Sequence, residues 1–406
     1  MSINYKYHII DMYIKSIGAN IKYKVISGAE EFGILLYKNF KKANLNIDFF
    51  FDDYNYINKK NLSEIEFVSL EKLKEISDNT FIFISDRDPD VFESVYRKLK
   101  DNGIKYICPS SLMKIIRFLP EIDCNLYPVG HYFSLYPDIE SIKKKSTAIF
   151  DKSVVVKDID FNEKKQLEIL NQMTEMYPTL PDWKYDRSVS LKTFRYNYNN
   201  QWFGAADAVA LHCMLRILKP KNFIEVGSGY SSAVTLDTNE YYLENKIKIS
   251  FIEPYPERLK MLLRTDDNIE LQEKELQDIP LNYFEKLEEG DILFIDSSHV
   301  SKVASDVNYL IFEVFPRLNK GVYIHFHDIF YPFEYPEAWI TKNGFIWNEL
   351  YLLRAFLQNN NKYSIQFFQS MLQYKYKDIF DKKWPKSIPE FDSLPYASSM
   401  WIKKEN

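Results

Sequence analysis

The fold is decided by residues 207–242, which read DAVALHCMLRILKPKNFIEVGSGYSSAVTLDTNEYY. The pattern predicts a helix, a turn, a strand over Asn222–Val226, a Gly-Ser-Gly loop at 227–229 and a second helix from about Ser231. Glycines in the loop let its backbone approach a ligand closely, and the serines that follow can cap the second helix. A strand, a glycine loop and a helix in this order predict a ligand site where the strand ends.

Polar side chains follow the later strands of this half of the chain at the same point. Glu253 ends the strand in KIKISFIE, and Asp296 ends the strand in DILFID, with His299 just beyond it. His327 and Asp328 end the strand in GVYIHFHD. Because the carboxyl ends of parallel strands meet at one edge of a sheet, we expect these side chains to share one cleft. The alternation of strands and helices predicts an α/β domain with a parallel sheet.

The first part of the chain predicts a second α/β unit. Residues 23–53 read as a strand, a turn with Gly28 and Gly33, a helix and another strand, which is the order of a nucleotide-binding βαβ unit. Glu30 stands where the middle glycine of G-x-G-x-x-G would admit a pyrophosphate, and its carboxylate repels phosphate. Two interpretations of this unit stay open: a nucleotide or nucleotide-sugar site, and a structural or dimerising domain that keeps only the fold.

Length, charge and composition exclude several classes of protein. The chain has 406 residues, enough for two domains, and a net charge of −5, which argues against a nucleic-acid binder. It contains no long apolar run of the kind that spans a membrane and no signal peptide. Three cysteines without metal-type spacing predict a reducing, cytoplasmic compartment. We expect an N-terminal Rossmann-like domain at 1–118, an irregular and helical connection at 119–185, and a third segment at 186–406.

Seven segments of the chain resemble a known protein family. From about residue 128 onward they read GHYFSLYPDIE, WFGAADAVALHCMLR, IEVGSGYSSAVTLDTNE, FIEPYPERL, GDILFIDSSHVSKVASDVN, PRLNKGVYIHFHDIFYPFEYP and WNELYLLRAFLQ. They resemble a bacterial subfamily of class I S-adenosylmethionine (SAM) methyltransferases that is often encoded among carbohydrate-modifying genes. The resemblance implies two Rossmann-like domains, the C-terminal one a seven-stranded class I methyltransferase sheet. The N-terminal unit resembles the Rossmann-like domains that precede sugar-modifying transferases.

The resemblance and the strand ends together predict a SAM site. Glu253 would accept both ribose hydroxyls of the adenosine, a task that suits a carboxylate. The glycine loop would lie along the methionine part of the cofactor, and Gln277 would lie near the adenine edge. The predicted cofactor-binding residues are Glu225, Gly227, Ser228, Gly229, Tyr230, Ser231, Glu253, Pro254, Gln277 and Asp296.

Methylation of a hydroxyl needs a base or a metal ion, because the pKa of a hydroxyl lies far above 7. In one scheme His327 is the general base, Asp328 or Asp296 orients its ring, and His299 belongs to the same catalytic group. In the other scheme Asp296, His327 and Asp328 hold a divalent ion that lowers the pKa of the acceptor. A His-Asp pair suits magnesium less well than a softer ion, so we favour the metal-free scheme.

The expected substrate is a hydroxyl of a sugar or of a sugar-containing metabolite, including a nucleotide-linked sugar. The candidate substrate contacts are His131, His325, Tyr331 and Tyr335. Two other functions stay open: a metal-dependent enzyme, either a magnesium-dependent O-methyltransferase or a hydroxylase, with Asp296, His327 and Asp328 as ligands, and a non-catalytic binding module in glycan assembly. We expect no nucleic-acid partner, and the sequence leaves a homodimer open.

Overall fold

The computed structural model describes residues 13–15, 17, 20–28, 31–42, 45–51, 66–85, 89–109, 130–184, 193–200, 202–383 and 397–406. The chain divides into two compact units. The first comprises residues 1–142 with 341–343, and the second comprises 143–340 with 344–406. The boundary between them lies inside the segment 119–185 that the sequence predicts as a connection.

The first unit is built on a five-stranded parallel sheet in the order β3-β2-β1-β4-β5. Its strands are β1 (Tyr23–Ser27), β2 (Phe49–Phe51), β3 (Glu66–Val68), β4 (Thr80–Ile84) and β5 (Tyr106–Ile107). Its helices are α1 (Glu31–Lys42), α2 (Leu70–Glu75) and α3 (Pro89–Asp101), with a 3₁₀ turn at Ser77–Asn79, and α4 (Ile139–Lys144) follows. This order of parallel strands is that of a Rossmann-like sheet.

Aromatic side chains fill the interior of the first unit. Phe40, Phe50, Phe81 and Phe83 are completely buried, and the rings of Phe40 and Phe83 lie 4.8 Å apart. A parallel sheet is covered on both faces, which explains why its strands read as nearly continuous apolar runs.

The turn that follows β1 is closed by a serine. Gly28 has φ +92°, and a Cβ at this position would lie 2.6 Å from Ser85 Oγ. The Ser85 hydroxyl lies 2.8 Å from the carbonyl oxygens of both Ser27 and Gly28 and can donate to either. Glu30, on which the doubt about a dinucleotide site rests, lies outside the described residues.

The second unit contains a seven-stranded sheet and the remaining helices. Its strands are β6 (Asn222–Val226), β7 (Lys248–Ile252), β8 (Ile269–Gln272), β9 (Ile292–Ile295), β10 (Tyr323–Phe326), β11 (Tyr363–Phe368) and β12 (Met400–Lys404). Its helices are α5 (Ser146–Ile149), α6 (Glu163–Met176), α7 (Ala205–Leu218), α8 (Tyr230–Tyr242), α9 (Glu257–Leu262), α10 (Asp306–Tyr309), α11 (Phe315–Arg317), α12 (Glu349–Leu357), α13 (Gln369–Lys375) and α14 (Lys377–Lys383). There are 3₁₀ turns at Tyr177–Thr179, Leu276–Asp278 and Leu281–Tyr283, and π-helical turns at Leu310–Val314 and Trp339–Asn343.

The strand order of this sheet is β11-β12-β10-β9-β6-β7-β8, with only β12 antiparallel to its neighbours. The sheet therefore has the seven strands that the sequence predicts. From β6 the chain adds β7 and β8 on one side and then returns to place β9 on the other side. Strands β6 and β9 thus flank the point where the strand order reverses, and open α/β sheets bind their ligands at that point.

Helix α7 is almost entirely buried, and Asp207 in its first turn fastens it to the chain before β12. Asp207 Oδ1 accepts hydrogen bonds from the backbone amides of Ser398 (3.0 Å) and Ser399 (2.9 Å) and from the Ser399 hydroxyl (2.7 Å). A buried carboxylate with several donors is a stable arrangement. Within the described residues, no helix is long and apolar enough to cross a bilayer.

Candidate active site

The glycine loop lies directly against the end of the neighbouring strand. Gly227 has φ +78°, and a Cβ at this position would lie 1.7 Å from the carbonyl oxygen of Asp296. The two segments are also joined by a hydrogen bond from the Asp296 amide to the carbonyl of Val226 (2.9 Å). Only glycine fits such a close approach, because any side chain would collide with backbone. The loop after β6 and the polar residues after β9 therefore form one continuous site.

Glu253 holds the glycine loop from the other side. Its Oε2 accepts a hydrogen bond from the Ser228 amide (2.9 Å), and its Oε1 accepts one from the Tyr255 amide (2.8 Å). Burial raises the pKa of Glu253, although these amides and the charge of Arg258 favour the ionised form. A carboxylate has about four acceptor positions, so Glu253 retains capacity for the hydroxyls of a ligand.

Glu225 lies in β6, two residues before Gly227, and its side chain contacts the first turn of helix α8. Its side chain is completely buried, and Oε1 accepts a hydrogen bond from the Ser231 hydroxyl (2.5 Å). Oε2 has no hydrogen-bond partner among the described residues. Burial raises the pKa of Glu225 to about 8. The helix start is capped instead by Ser232, whose hydroxyl accepts the Gly229 amide proton (3.0 Å).

Changing Glu225 to glutamine is expected to stabilise the protein at alkaline pH. The folded-state pKa of about 8 lies above the ordinary value of 4.5, so the folded protein keeps a proton that the unfolded chain releases. The wild-type free energy of unfolding therefore declines as the pH rises from 4.5 through 8, whereas Glu225→Gln has no such proton to lose. Urea unfolding of both proteins at pH 5, 7 and 9 measures the difference. If the difference in the free energy of unfolding between the two proteins does not change with pH, the expectation is wrong.

The four residues predicted as catalytic come together at the ends of β9 and β10. His327 Nδ1 lies 3.3 Å from Asp296 Oδ1 and 3.6 Å from Asp328 Oδ2. His299 Nε2 lies 3.3 Å from the same Asp296 oxygen and 3.8 Å from Asp328 Oδ2. We call these four residues the histidine–carboxylate cluster. Asp296 is its most accessible member, with 29% of its side chain exposed, compared with 6–12% for the other three.

Each ring of the cluster faces a further carboxylate that the sequence analysis did not identify. Glu349 Oε2 lies 2.9 Å from His299 Nδ1, and Asp207 Oδ2 lies 3.7 Å from His327 Nε2. Both acids stand in apolar helical stretches, AADAVALH and ELYLLRAFL. An acid in such a stretch is a usable signal, because buried carboxylates are rare unless they are paired.

Electrostatics makes the two rings cationic. Burial opposes their protonation, but hydrogen bonds to Asp296 and Glu349 raise the pKa of His299 to about 10. The charges of Asp328 and Asp296 likewise raise the pKa of His327 well above its usual value. At Asp296, burial favours the protonated form, but the two neighbouring rings outweigh burial and lower the pKa. At Asp328, burial prevails and raises the pKa. The carboxylates around the two rings thus favour their protonated forms, and the two rings favour the ionised form of Asp296.

The backbone of the cluster is strained. His299 and Asp328 have φ values of +59° and +58°, in the left-handed region that costs a residue with a side chain about 1–3 kcal/mol. Asp306 holds the loop before His299 in place, since it accepts hydrogen bonds from the amide (2.8 Å) and the hydroxyl (2.6 Å) of Ser298. Strain of this kind concentrates where a site needs side chains in fixed positions.

The cluster does not have the geometry of a metal centre. Within the described part of the chain, no three His, Cys, Asp or Glu side chains are placed to hold a metal ion together. The ring nitrogens His299 Nε2 and His327 Nδ1 instead each lie 3.3 Å from Asp296 Oδ1, at hydrogen-bonding distance. The arrangement of Asp296, His327 and Asp328 therefore does not fit the divalent ion of the second scheme.

Three of the four predicted substrate contacts are buried. His325 is completely buried, lies flat against Phe294 at 3.9 Å, and has Nε2 3.0 Å from Ser399 Oγ. Tyr331 and Tyr335 are only 6% and 1% exposed. In the structure the three side chains contact other residues of the second unit, and their contact with a substrate stays a prediction.

The remaining predicted residues lie at the rim or elsewhere. Pro254 is exposed beside Glu253, and Tyr230 begins helix α8. The Gln277 side chain donates a hydrogen bond to the carbonyl of Ala304, which ties two loops together. His131 belongs to the first unit, where its Nδ1 accepts a hydrogen bond from the backbone amide two residues later (3.2 Å).

Comparison with known proteins assigns the second unit to a family. Residues 224–329 match the Methyltransf_24 family model, a methyltransferase domain. An uncharacterized protein of Archaeoglobus fulgidus is 34% identical over 172 residues, which cover 41% of this chain and 76% of that protein.

Similar solved structures are distant. The SAH-bound methyltransferase PaMTH1 of Podospora anserina shares 15% identity over 67% of this chain and 99% of its own, with a TM-score of 0.32. The methyltransferase FkbM of Methylobacillus flagellatus shares 10% identity over 95% of this chain and 90% of its own, with a TM-score of 0.34. Such low TM-scores say nothing about the substrate of this chain. On the family match, the chain belongs to the same family as the archaeal protein, and its residues 224–329 form a methyltransferase domain.

Proposed function

We propose that the protein transfers a methyl group from SAM to a hydroxyl of a sugar or sugar-containing small molecule, such as a nucleotide-linked sugar. The observation that carries the proposal is the contact between the glycine loop and Asp296. Through this contact the histidine–carboxylate cluster lies directly beside the loop that would hold the methyl donor. The sugar part of the proposal rests on the sequence resemblance.

The described residues fit the cofactor. Gly227 lets the loop backbone lie against the end of β9, and the Glu253 carboxylate accepts the Ser228 amide proton with acceptor positions to spare. These residues would hold the methionine and ribose parts of SAM. When bound, SAM supplies an activated methyl group on a sulfonium, so the protein has to align the acceptor and remove its proton.

The proton acceptor that this geometry favours is Asp296, with His327 as its orienting partner. Nδ1 of His327 faces Asp296 and Nε2 faces Asp207, and a ring protonated on both sides accepts no further proton. Asp296 is ionised and the most exposed member of the cluster. As the new O–C bond forms, the hydroxyl proton becomes strongly acidic, so even a carboxylate of low pKa can accept it. The roles are the reverse of those in the scheme with His327 as the base.

The test is methyl transfer from radiolabelled SAM to a panel of free sugars, nucleotide-linked sugars and simple amines. We expect label in one or more hydroxyl-bearing sugars and none in the amines. Asp296→Asn, assayed in parallel, separates enzymatic transfer from spontaneous methylation. Label confined to amines, or SAM binding without transfer to any sugar, would contradict the proposal.

A further inference from the structure

Glu349 is a buried acid whose contacts converge on one ring of the cluster. It begins helix α12 and is 1% exposed. Its Oε2 accepts the hydrogen bond from His299 Nδ1 at 2.9 Å, the shortest contact that either ring of the cluster makes with a carboxylate. Its Oε1 accepts a hydrogen bond from the Ser297 hydroxyl at 3.0 Å. Both oxygens of the carboxylate are thus directed at the loop that follows β9.

The backbone of the same helix start is attached to the same histidine. The amides of Asn348 and Glu349 both donate to the carbonyl of His299, each at 3.1 Å. The ring of Trp347 lies 4.5 Å from the imidazole ring on its face. His299 is therefore held through its carbonyl, its ring nitrogen and its ring face by three consecutive residues. These contacts hold a residue whose φ of +59° is unfavourable for a residue with a side chain.

The consequence is a fixed direction for the other ring nitrogen. With Nδ1 bound to Glu349, Nε2 points at Asp296 Oδ1, 3.3 Å away. The hydrogen bond on one nitrogen of an imidazole sets the orientation and the function of the other nitrogen. Asp296 is then held between two rings, since His327 Nδ1 approaches the same oxygen.

We infer that Glu349 is a positioning residue for methyl transfer: it fixes the His299 ring, and that ring orients the Asp296 carboxylate toward the acceptor hydroxyl. This inference rests on the proposed function of Asp296. Glu349 does not reach the reacting atoms itself, so its removal should affect turnover more than binding. Partners that orient the histidine ligands of metal sites change metal affinity or activity by about 10–100-fold, and we expect an effect of that size for the orientation of His299.

The test compares Glu349→Ala and Glu349→Gln with a matched control, Glu334→Gln. Glu334 is a half-buried glutamate that accepts hydrogen bonds from the Tyr351 hydroxyl and the Tyr335 amide, and among the described residues no histidine is hydrogen-bonded to it. We expect kcat to fall about 100-fold in Glu349→Ala and about 10-fold in Glu349→Gln, which keeps a neutral acceptor for Nδ1. KM for SAM and for the sugar acceptor should stay within about threefold of wild type, and Glu334→Gln should keep wild-type kcat.

Two further measurements distinguish positioning from simple stability. The ¹⁵N-edited NMR spectrum of wild type should contain a downfield, exchange-protected His299 ring N–H resonance. Glu349→Ala should lose this resonance while Glu334→Gln retains it. If Glu349→Ala only lowers the melting temperature and keeps kcat at a permissive temperature, the inference is wrong.

Calorimetry with S-adenosylhomocysteine tests the proposed function separately. An absence of binding in wild type overturns that function. Normal binding together with an unchanged His299 resonance in Glu349→Ala overturns only the positioning role.

Discussion

Asparagine in place of Asp296 is expected to lower kcat about 1000-fold, within the range that general acid–base groups contribute. Asparagine keeps the shape of the side chain and can still accept a hydrogen bond, but it cannot take the hydroxyl proton. S-adenosylhomocysteine should bind the variant within about threefold of wild type, because Asp296 touches the glycine loop through its backbone carbonyl. Single-turnover methyl transfer together with calorimetry measures the two quantities independently.

Asp291→Asn provides the matched control for this experiment. Asp291 is a buried aspartate just before β9, at the opposite end of the strand from Asp296. It accepts hydrogen bonds from the backbone amides of Lys221 (2.9 Å) and Asn222 (2.8 Å). Its replacement should lower the melting temperature and leave kcat near wild type.

Comparison of the kcat values of Asp296→Asn and His327→Ala decides which residue is the base. If His327→Ala removes more activity than Asp296→Asn, the ring is the proton acceptor and the carboxylate is its partner.

Replacing Glu253 by alanine is expected to weaken the binding of S-adenosylhomocysteine about 100-fold. The variant loses the acceptor for the ribose hydroxyls and also the brace on the Ser228 amide, and hydrogen bonds to a charged group contribute about 1.5–3 kcal/mol each. Glu253→Gln retains one acceptor oxygen and should lose about 10-fold. Calorimetry at constant pH measures both affinities.

Glu257→Ala is the control for the change in charge. Glu257 is exposed in the first turn of α9, four residues after Glu253, and its removal changes the net charge equally. The affinity of Glu257→Ala for S-adenosylhomocysteine should match that of wild type. An unchanged affinity in Glu253→Ala would remove the assignment of Glu253 to the ribose.

A large part of this candidate site could be predicted from short stretches of the sequence. The glycine loop, the acid at the end of β7 and the polar residues at the ends of β9 and β10 were all predictable, because strand ends and glycine turns leave signatures within a few residues. The grouping of Asp296, His299, His327 and Asp328 also follows from sequence, since parallel strands bring their carboxyl ends together. The contacts within the group do not follow from it.

Side-chain direction was harder to predict than strand position. Tyr331 and Tyr335 follow β10 closely enough to be candidates for substrate contact, yet both are buried. His325 lies in β10, two residues before His327, and is completely buried against Phe294. Whether such a ring faces a cleft or the interior depends on what packs over it, and that information is spread over distant parts of the chain.

The sequence by itself determined the α/β architecture, the position of the glycine loop and the set of strand-end residues that meet at one edge. Only the tertiary structure decided which side chains surround them, because it places Glu349 beside His299 and Asp207 beside His327 across separations of 50 and 120 residues. Hydrogen bonds to Asp296 and Glu349 raise the pKa of His299 to about 10, and the charges of Asp328 and Asp296, together with the hydrogen bond to Asp207, raise the pKa of His327 well above its usual value. The physical reason is that the charge state of a buried group is set by all the charges packed around it, and packing brings those charges together from distant parts of the chain.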